Sequence, residues 1–418
     1  MGPVGVRGFL SVAYKLISIN LSPVNILTFS SLYPNNTNSI HGIFIERRLK
    51  ELVRRTSIRS TVVAPVPWFP FRSRVFGDYA KLAAITRSER RSGLDVWHNR
   101  YPVIPKIGMN VAPKLMAHAS KRTVQRCVTE NGIRLIDAHY FFPDGVAASI
   151  LARELDIPYV ITARGSDINL IASFASPRKQ MLRAAQGASA LVAVSEALAN
   201  AMRNMGMPAE KIHVLRNGVD LDFFYPADNH SASKDVFTSE LTFLSVGTLK
   251  EAKGHDIAIQ FVSRIPSARL FIVGRGPQES KLRSLANQLH VNDRVIFTGV
   301  LDQDSLRARY RAADALILMS EREGMPNVIL ESLACGTPVL ATNVGGIPEL
   351  LTESCCGELV SNRSAESLDD AWRKLSQRGI DADEIRQFST RYSWQGTIGT
   401  LHKLMMDIAG GYLPGSDR

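Results

Sequence analysis

Short, continuous apolar runs alternate with longer segments of helical period along this chain, and the alternation occurs twice. In the first half the runs lie at 24–29, 61–65, 135–139, 159–162 and 191–194, with helical patterns at 43–55, 113–130, 145–154 and 196–205. In the second half the runs lie at 241–246, 270–273, 295–297, 315–318 and 339–341, with helical patterns at 255–264, 279–289, 327–334 and 367–376. A run that is apolar at nearly every residue has no solvated face. It therefore reads as a parallel strand covered on both sides by the helices that join it to its neighbours. Repetition of that unit predicts an α/β chain with two doubly wound, Rossmann-like domains facing each other across a cleft. Length agrees, since 418 residues exceed what a single core ordinarily organises.

The boundary falls at 226–239, PADNHSASKDVFTS, which is polar, turn-rich and aperiodic as a linker should be. We expect a first domain over 1–225, the linker, a second domain over 240–391 and a segment over 392–418. The amphipathic pattern at 394–408 in that last segment predicts a helix that returns to brace the first domain. Open α/β sheets bind ligands at the carboxyl ends of their strands, so a ligand between the two domains is expected.

Composition narrows the function. With 45% hydrophobic and 21% charged residues, the chain is neither disordered nor fibrous. Cys127, Cys335, Cys355 and Cys356 show no metal-ligand spacing and no disulfide framework, which predicts a reducing, cytoplasmic compartment. The apolar stretch at 9–19 is interrupted by Lys15 and falls short of the ~20 residues a membrane span needs, so it reads as an N-terminal extension. A net charge of +11 calls for anionic partners. Zinc spacings, helix-turn-helix patterns and aromatic RNA-binding motifs are all missing, so nucleic acid is not expected.

Chemistry concentrates at 323–331, EGMPNVILE. Pro326 suits a first helical turn and biases Met325 to an extended conformation, so a helix should begin near Pro326. Glu323 then sits on a strand-to-helix loop, and Gly324, Met325, Pro326 and Asn327 lead to helix N–H groups that favour an anionic or oxygen-rich ligand. Glu331 lies more than a turn inside the helix, where a carboxylate can accept two hydrogen bonds from a vicinal diol. Taken alone, both glutamates also fit an ordinary solvated surface. Gly247, Gly274, Gly276, Gly299, Gly345 and Gly346 follow predicted strands and let backbone approach a ligand. The dinucleotide-binding fingerprint is absent, because Glu279 stands three residues after Gly276 where a glycine is required.

The paired glutamates, VGTLKEAKG at 246–254, VGRGP at 273–277 and CGTPVLATNVGGIPEL at 335–350 together resemble glycosyltransferase family four, retaining enzymes of the GT-B fold. In the first half DAHYFFPDG at 137–145, TARGSD at 162–167 and RNGVD at 216–220 follow in the order that family shows. The resemblance implies a nucleotide diphosphate sugar as donor, no metal, and a glycan or lipid-linked acceptor on the first-domain side. It implies that Glu331 binds the donor ribose, Glu323 contacts the transferred sugar and Lys253 reaches the diphosphate, with Gly247, Gly274 and backbone near Val300 lining the donor. Two positions depart from the family. Thr248 stands where an arginine is common, with Lys250 close enough to substitute, and Arg164 stands where a histidine is common. Arg164 can bind phosphate in a bidentate manner but cannot act as a base. His139 ends a predicted strand and fits a cleft position, and Gly42 resembles the family's glycine loop, although a plain helix cap at Asn38 or Ser39 explains that segment equally well.

Helix 43–55 carries Arg47, Arg48, Lys50, Arg54 and Arg55, and VPWFPFRSR at 66–74 interleaves aromatics with arginines, which suits the anionic inner face of a membrane. Two other readings of the two-domain pattern remain open at this point: a nucleotide-sugar epimerase of the same fold, and a non-catalytic two-domain sugar-binding protein.

Overall fold

The computed structural model describes residues 23–68, 78–103, 108–227 and 240–411. The expected N-terminal extension, most of the expected linker, 69–74 of the aromatic-basic stretch and 412–418 lie outside those residues.

The first domain contains β1 (Asn25–Phe29), α1 (Ile43–Arg55), β2 (Arg59–Val63), β3 (Val66–Trp68), α2 (Asp78–Ala83), β4 (Ser88–Arg91), β5 (Leu94–Trp97), β6 (Arg100–Pro102) and α3 (Ala112–Asn131). It continues through β7 (Ile133–His139), α4 (Val146–Leu155), β8 (Tyr159–Ala163), α5 (Ser166–Asn169), α6 (Ala175–Gly187), β9 (Ala190–Ala193), α7 (Glu196–Asn204) and β10 (Ile212–Val214). Its main sheet has eight strands in the order β10-β9-β8-β7-β1-β2-β5-β4. All neighbours run parallel except the edge pair β4 and β5. That hairpin turns through Ser92 and Gly93, both at positive φ (49° and 80°), a mirror-image turn that matches strand twist. It was hidden from the sequence because SERR carries no apolar run.

The second domain contains β11 (Leu241–Val246), α8 (His255–Ser263), β12 (Ala268–Val273), α9 (Glu279–Gln288), β13 (Val295–Gly299), α10 (Gln303–Ala312), β14 (Ala315–Leu318), α11 (Asn327–Ala334), β15 (Val339–Thr342), β16 (Gly357–Val360), α12 (Ala365–Arg378) and α13 (Ala382–Ser389). Its six strands are all parallel, in the order β13-β12-β11-β14-β15-β16. The interior strands β14 and β15 are buried at every residue, which is why they read as apolar runs.

Helix α14 (Trp394–Gly410) packs on the first domain. Trp394, Ile398, Leu401, Met405 and Ala409 recur at helical spacing and meet Ile45, Leu49 and Leu52 of α1 above the sheet residues Ile26, Val62 and Leu135. Among the described residues no helix is long and apolar enough to cross a membrane. The carboxyl ends of β1, β7 and β8 face those of β11, β12, β14 and β15, and the loops after these strands form the seam described next.

Candidate active site at the domain seam

On the second-domain side, the turn after β11 interlocks with the turn after β12. Gly274 has φ 143°, and a Cβ there would collide with the Gly247 carbonyl, so this crossing admits only glycine. Thr248 and Lys250 are exposed at the outer edge of the turn. Beneath it His255 is buried, with Nδ1 2.9 Å from Ser245 Oγ and Nε2 unpartnered. Burial, reinforced by Lys253, pushes His255 down to about 4, so the ring is neutral at physiological pH. Lys253 ends the next turn, and its Nζ donates to Glu323 Oε1 at 2.5 Å. Ser320 Oγ donates to the same oxygen at 2.7 Å. The ammonium and the Glu323 carboxylate thus meet where the β11 and β14 loops converge.

Helix α11 begins at Asn327, with Pro326 as its N-terminal cap residue at φ −75° and ψ 116°, one position outside the helix. Glu331 on this helix is buried, and both of its oxygens are engaged. Arg47 from α1 of the first domain donates to Oε1 at 2.7 Å, and Tyr310 donates to Oε2 at 3.0 Å. Burial and the adjacent carboxylate raise the Tyr310 hydroxyl well above its ordinary range, so it stays a donor. Arg47, Glu331 and Asn327 line an interdomain cavity with Gln303, Asp220 and Trp394. Tyr310 carries no signal in the sequence, and Arg47, read there as part of a basic membrane-facing helix, turns inward to Glu331 instead. Tyr310 lies on α10, whose buried face shows in a single residue, and Arg47 is 284 positions from its partner.

On the first-domain side Arg164 follows β8. Its Nη2 donates to His139 Nδ1 at 2.7 Å, its Nη1 reaches Asn217 Oδ1 at 3.5 Å, and the guanidinium lies over the Phe44 ring at 5.2 Å. His139 Nε2 donates to Asp137 Oδ2 at 3.0 Å. Both ring nitrogens of His139 are therefore committed within the protein, so the ring orients Arg164 and does not face a ligand. Burial pushes His139 down to about 4, and Arg164 adds to the effect. Burial would raise Asp137, but His139, Arg48 and Arg164 outweigh it and hold the carboxyl below the usual range. Since His139 is neutral, the two guanidiniums are the charges that keep Asp137 ionised. Burial and the proximity of Arg48 push Arg164 down to about 9, which leaves it cationic at physiological pH. Nε of Arg164 is buried without a partner, and the expected phosphate role would draw on the N–H groups that these two bonds leave over. Asp167 pins the same loop by accepting from the backbone N–H groups of Phe141, Arg164 and Gly165.

The domains touch through backbone. Gly165 at φ 124° abuts Gly324, and a Cβ on Gly324 would lie 2.5 Å from the Arg164 carbonyl oxygen. Gly324 thus serves close approach of the two halves. Asn217 Nδ2 donates to Met325 O at 3.2 Å and to Asn327 Oδ1 at 2.8 Å. Arg216 Nη2 pairs with Glu349 at 2.7 Å, and Glu349 also accepts from the Ala197 N–H at the start of α7 at 3.0 Å.

Two expectations for the first domain change in detail. Gly42 itself occupies the cap position of α1 at φ 65°, where a Cβ would strike the Leu32 carbonyl, so neither Asn38 nor Ser39 is the cap. Most of the basic residues of α1 are not free: Arg47 pairs with Glu331, Arg48 is buried, and Arg54 and Arg55 both pair with Glu51, while Lys50 is exposed without an ion-pair partner among the described residues. Val300 is 40% exposed, and the neighbouring Gly299 carbonyl accepts from the Gly274 N–H at 2.8 Å.

Comparison with known proteins matches residues 112–223 to the profile of Glycosyltransferase Family 4 and residues 227–391 to that of Glycosyl transferases group 1. A teichuronic acid biosynthesis glycosyltransferase of Bacillus subtilis is 28% identical over 375 residues, spanning 87% of this chain and 92% of the relative. Among solved structures, the sucrose-phosphate synthase of Thermosynechococcus elongatus superposes with a TM-score of 0.74 at 18% identity, covering 93% of this chain and 99% of that one. Anabaena HepE in complex with UDP-glucose superposes with a TM-score of 0.68 at 19% identity, covering 92% and 99%. These structural likenesses establish the GT-B fold.

Proposed function

The chain belongs to glycosyltransferase family four, and from that premise we propose that it moves a hexose from a nucleotide diphosphate sugar to a glycan or lipid-linked acceptor, with retention at the anomeric carbon and without a metal. The observation that carries this reading is the convergence of Lys253, Glu323 and Glu331 on one seam, with the Gly247 and Gly274 turns beside them.

In this reading Glu331 receives the ribose hydroxyls, and Glu323, held by Ser320, receives a hydroxyl of the sugar. Lys253 neutralises the departing diphosphate, with Thr248, Lys250 and the Gly274 turn at its edge. The N-terminal end of α11, from Gly324 through Met325 and Pro326 to Asn327, faces the same anion. The bond from the anomeric carbon to the phosphate oxygen breaks, and its electron pair stays with the diphosphate. The acceptor oxygen bonds to the same face of that carbon, and its proton passes to the departing phosphate. A fixed cation aimed at charge that develops in the transition state is worth a factor of roughly 100 or more. We further propose a cytoplasmic setting in cell-envelope or exopolysaccharide assembly, a reading supported by the teichuronic acid relative.

The test is binding of a panel of nucleotide diphosphate sugars by calorimetry in a metal chelator, followed by product analysis with the donor that binds. Selective binding and acceptor-dependent transfer are expected. Binding by none of a full panel, or an isomerised donor formed without acceptor, would overturn the assignment, and the latter would point to an epimerase.

A further inference from the structure

Isolated exposed apolar residues need no explanation, but a group of them beside unpaired cations does. Met109 (45% exposed), Val111 (38%), Leu170 (43%) and Phe174 (50%) are large side chains of the first domain left in solvent. Met109 and Val111 flank Asn110, whose carbonyl accepts from Gln180 Nε2 at 3.1 Å. That bond fastens their turn to α6 within two turns of Phe174, the residue preceding that helix. Leu170 lies one short turn earlier, just beyond α5, and α5 starts beside Gly165 at the domain seam. Leu170 therefore lies on the cleft side of this group, while Asn110, between Met109 and Val111, lines the groove described next.

Away from the cleft, the same face is basic. Lys114, Arg153, Lys179 and Arg183 line a broad groove between α3, α4 and α6, with Asp156 as the one carboxylate in its lining. Lys114, Lys179 and Arg183 are exposed and have no ion-pair partner among the described residues. They differ in this from Arg47, Arg54 and Arg55 of α1, whose charges are spent on Glu331 and Glu51.

We propose that this face docks the protein on a bilayer containing anionic lipids. Leu170, Phe174, Met109 and Val111 enter the interface, and Lys114, Lys179 and Arg183 meet the headgroups. An apolar cluster rimmed by unpaired cations is complementary to such a surface on both counts. The orientation sets the domain seam against the membrane, where an acceptor carried on a lipid would be presented. The docking surface does not depend on which sugar is transferred, and it is measured without donor or acceptor.

The experiment is co-sedimentation of the full chain with phosphatidylcholine vesicles, with and without phosphatidylglycerol. Partition into the acidic vesicles, weakened by salt, is expected. Lys179→Gln with Arg183→Gln should reduce it on the order of 30-fold. Leu170→Ser with Phe174→Ser should reduce it on the order of 10-fold or more. Arg54→Gln with Arg55→Gln on α1 should leave it unchanged. All of these side chains are exposed, so the variants should fold, and their circular dichroism should match the parent. The proposal is overturned if the parent chain ignores acidic vesicles, if both pairs leave partition intact, or if the α1 pair abolishes it. Light scattering that shows a dimer dissolved by Phe174→Ser would also overturn it, because a second copy would then cover this face.

Discussion

Replacing Arg47 by Met removes a cation that crosses the domain seam while keeping most of the side chain's apolar stem. The Glu331 side chain is 7% exposed and that of Arg47 28%, so the pair lies between a surface ion pair, worth about 0–1 kcal/mol, and a fully buried one, whose breakage costs about 3–5 kcal/mol. Tyr310 continues to hold one oxygen of Glu331, which favours the lower half of that range. We expect a coupling of about 1–2 kcal/mol between Arg47→Met and Glu331→Gln in a double-mutant cycle of urea denaturation. The same geometry sets the direction of the ligand effect. In the proposed donor site Arg47 holds the oxygen that a ribose diol needs, and the Glu331 side chain is only 7% exposed, so the proposal requires a nucleotide to displace the guanidinium. Removing Arg47 should therefore tighten nucleoside diphosphate binding roughly 5- to 30-fold, the factor that corresponds to that coupling. Calorimetric titration of parent and variant with uridine, guanosine and adenosine diphosphates measures it. A variant that binds the preferred nucleotide more weakly would refute displacement and make Arg47 a ligand contact. A coupling below about 0.3 kcal/mol would refute the ion pair as an energetic link between the domains.

Lys253→Ala should lower the transfer rate on the order of 100-fold or more with the fold intact, and near-normal turnover would assign the phosphate charge to Lys250 or Arg164. Burial raises Asp144 to about 7 while Ser31 donates to it through its N–H and its hydroxyl. The folded state therefore holds a proton that the unfolded chain, with an ordinary carboxyl, releases near pH 4, so this group's contribution to stability falls as pH rises from about 4 to 7. Asp144→Asn should flatten that part of the profile and gain stability relative to the parent at pH 8, read from urea midpoints at pH 5 and 8; an unchanged slope would refute it. Gly324→Ala inserts a methyl group 2.5 Å from the Arg164 carbonyl oxygen. It should part the seam, with a larger radius of gyration in small-angle scattering and a fall in turnover; an unaltered scattering curve would show that the loop yields instead.

The strands that were legible in the sequence are those covered on both faces. β8, β9, β14 and β15 are buried at every residue and show as nearly continuous apolar runs, and β7 is buried along most of its length with Asp137 and His139 among its buried residues. The edge pair β4 and β5, with alternating or largely exposed residues, gave no such signal. Helix α10 was missed for a related reason, since Tyr310 is its one buried residue. Glu323, Lys253 and Glu331 could be picked out because local motifs hold them close to strand ends and helix starts. The partners of those residues could not. Tyr310 sits on a helix with no apolar stripe, and the reach of Arg47 depends on how one whole domain is set against the other.

Local chemistry by itself determined the two βα rhythms, the glycine turns and the position of the carboxylates relative to the helix that carries Glu331, because each is a matter of periodicity or of backbone conformations that few residues can adopt. Only the tertiary structure decided which way the long cationic side chains turn. Arg47 crosses to Glu331, Arg48 is buried, Arg54 and Arg55 return to Glu51, and Arg164 closes on His139 and Asn217. A guanidinium on a flexible stem settles beside whichever acceptor the fold delivers within its reach, and that acceptor is chosen by domain packing across hundreds of residues.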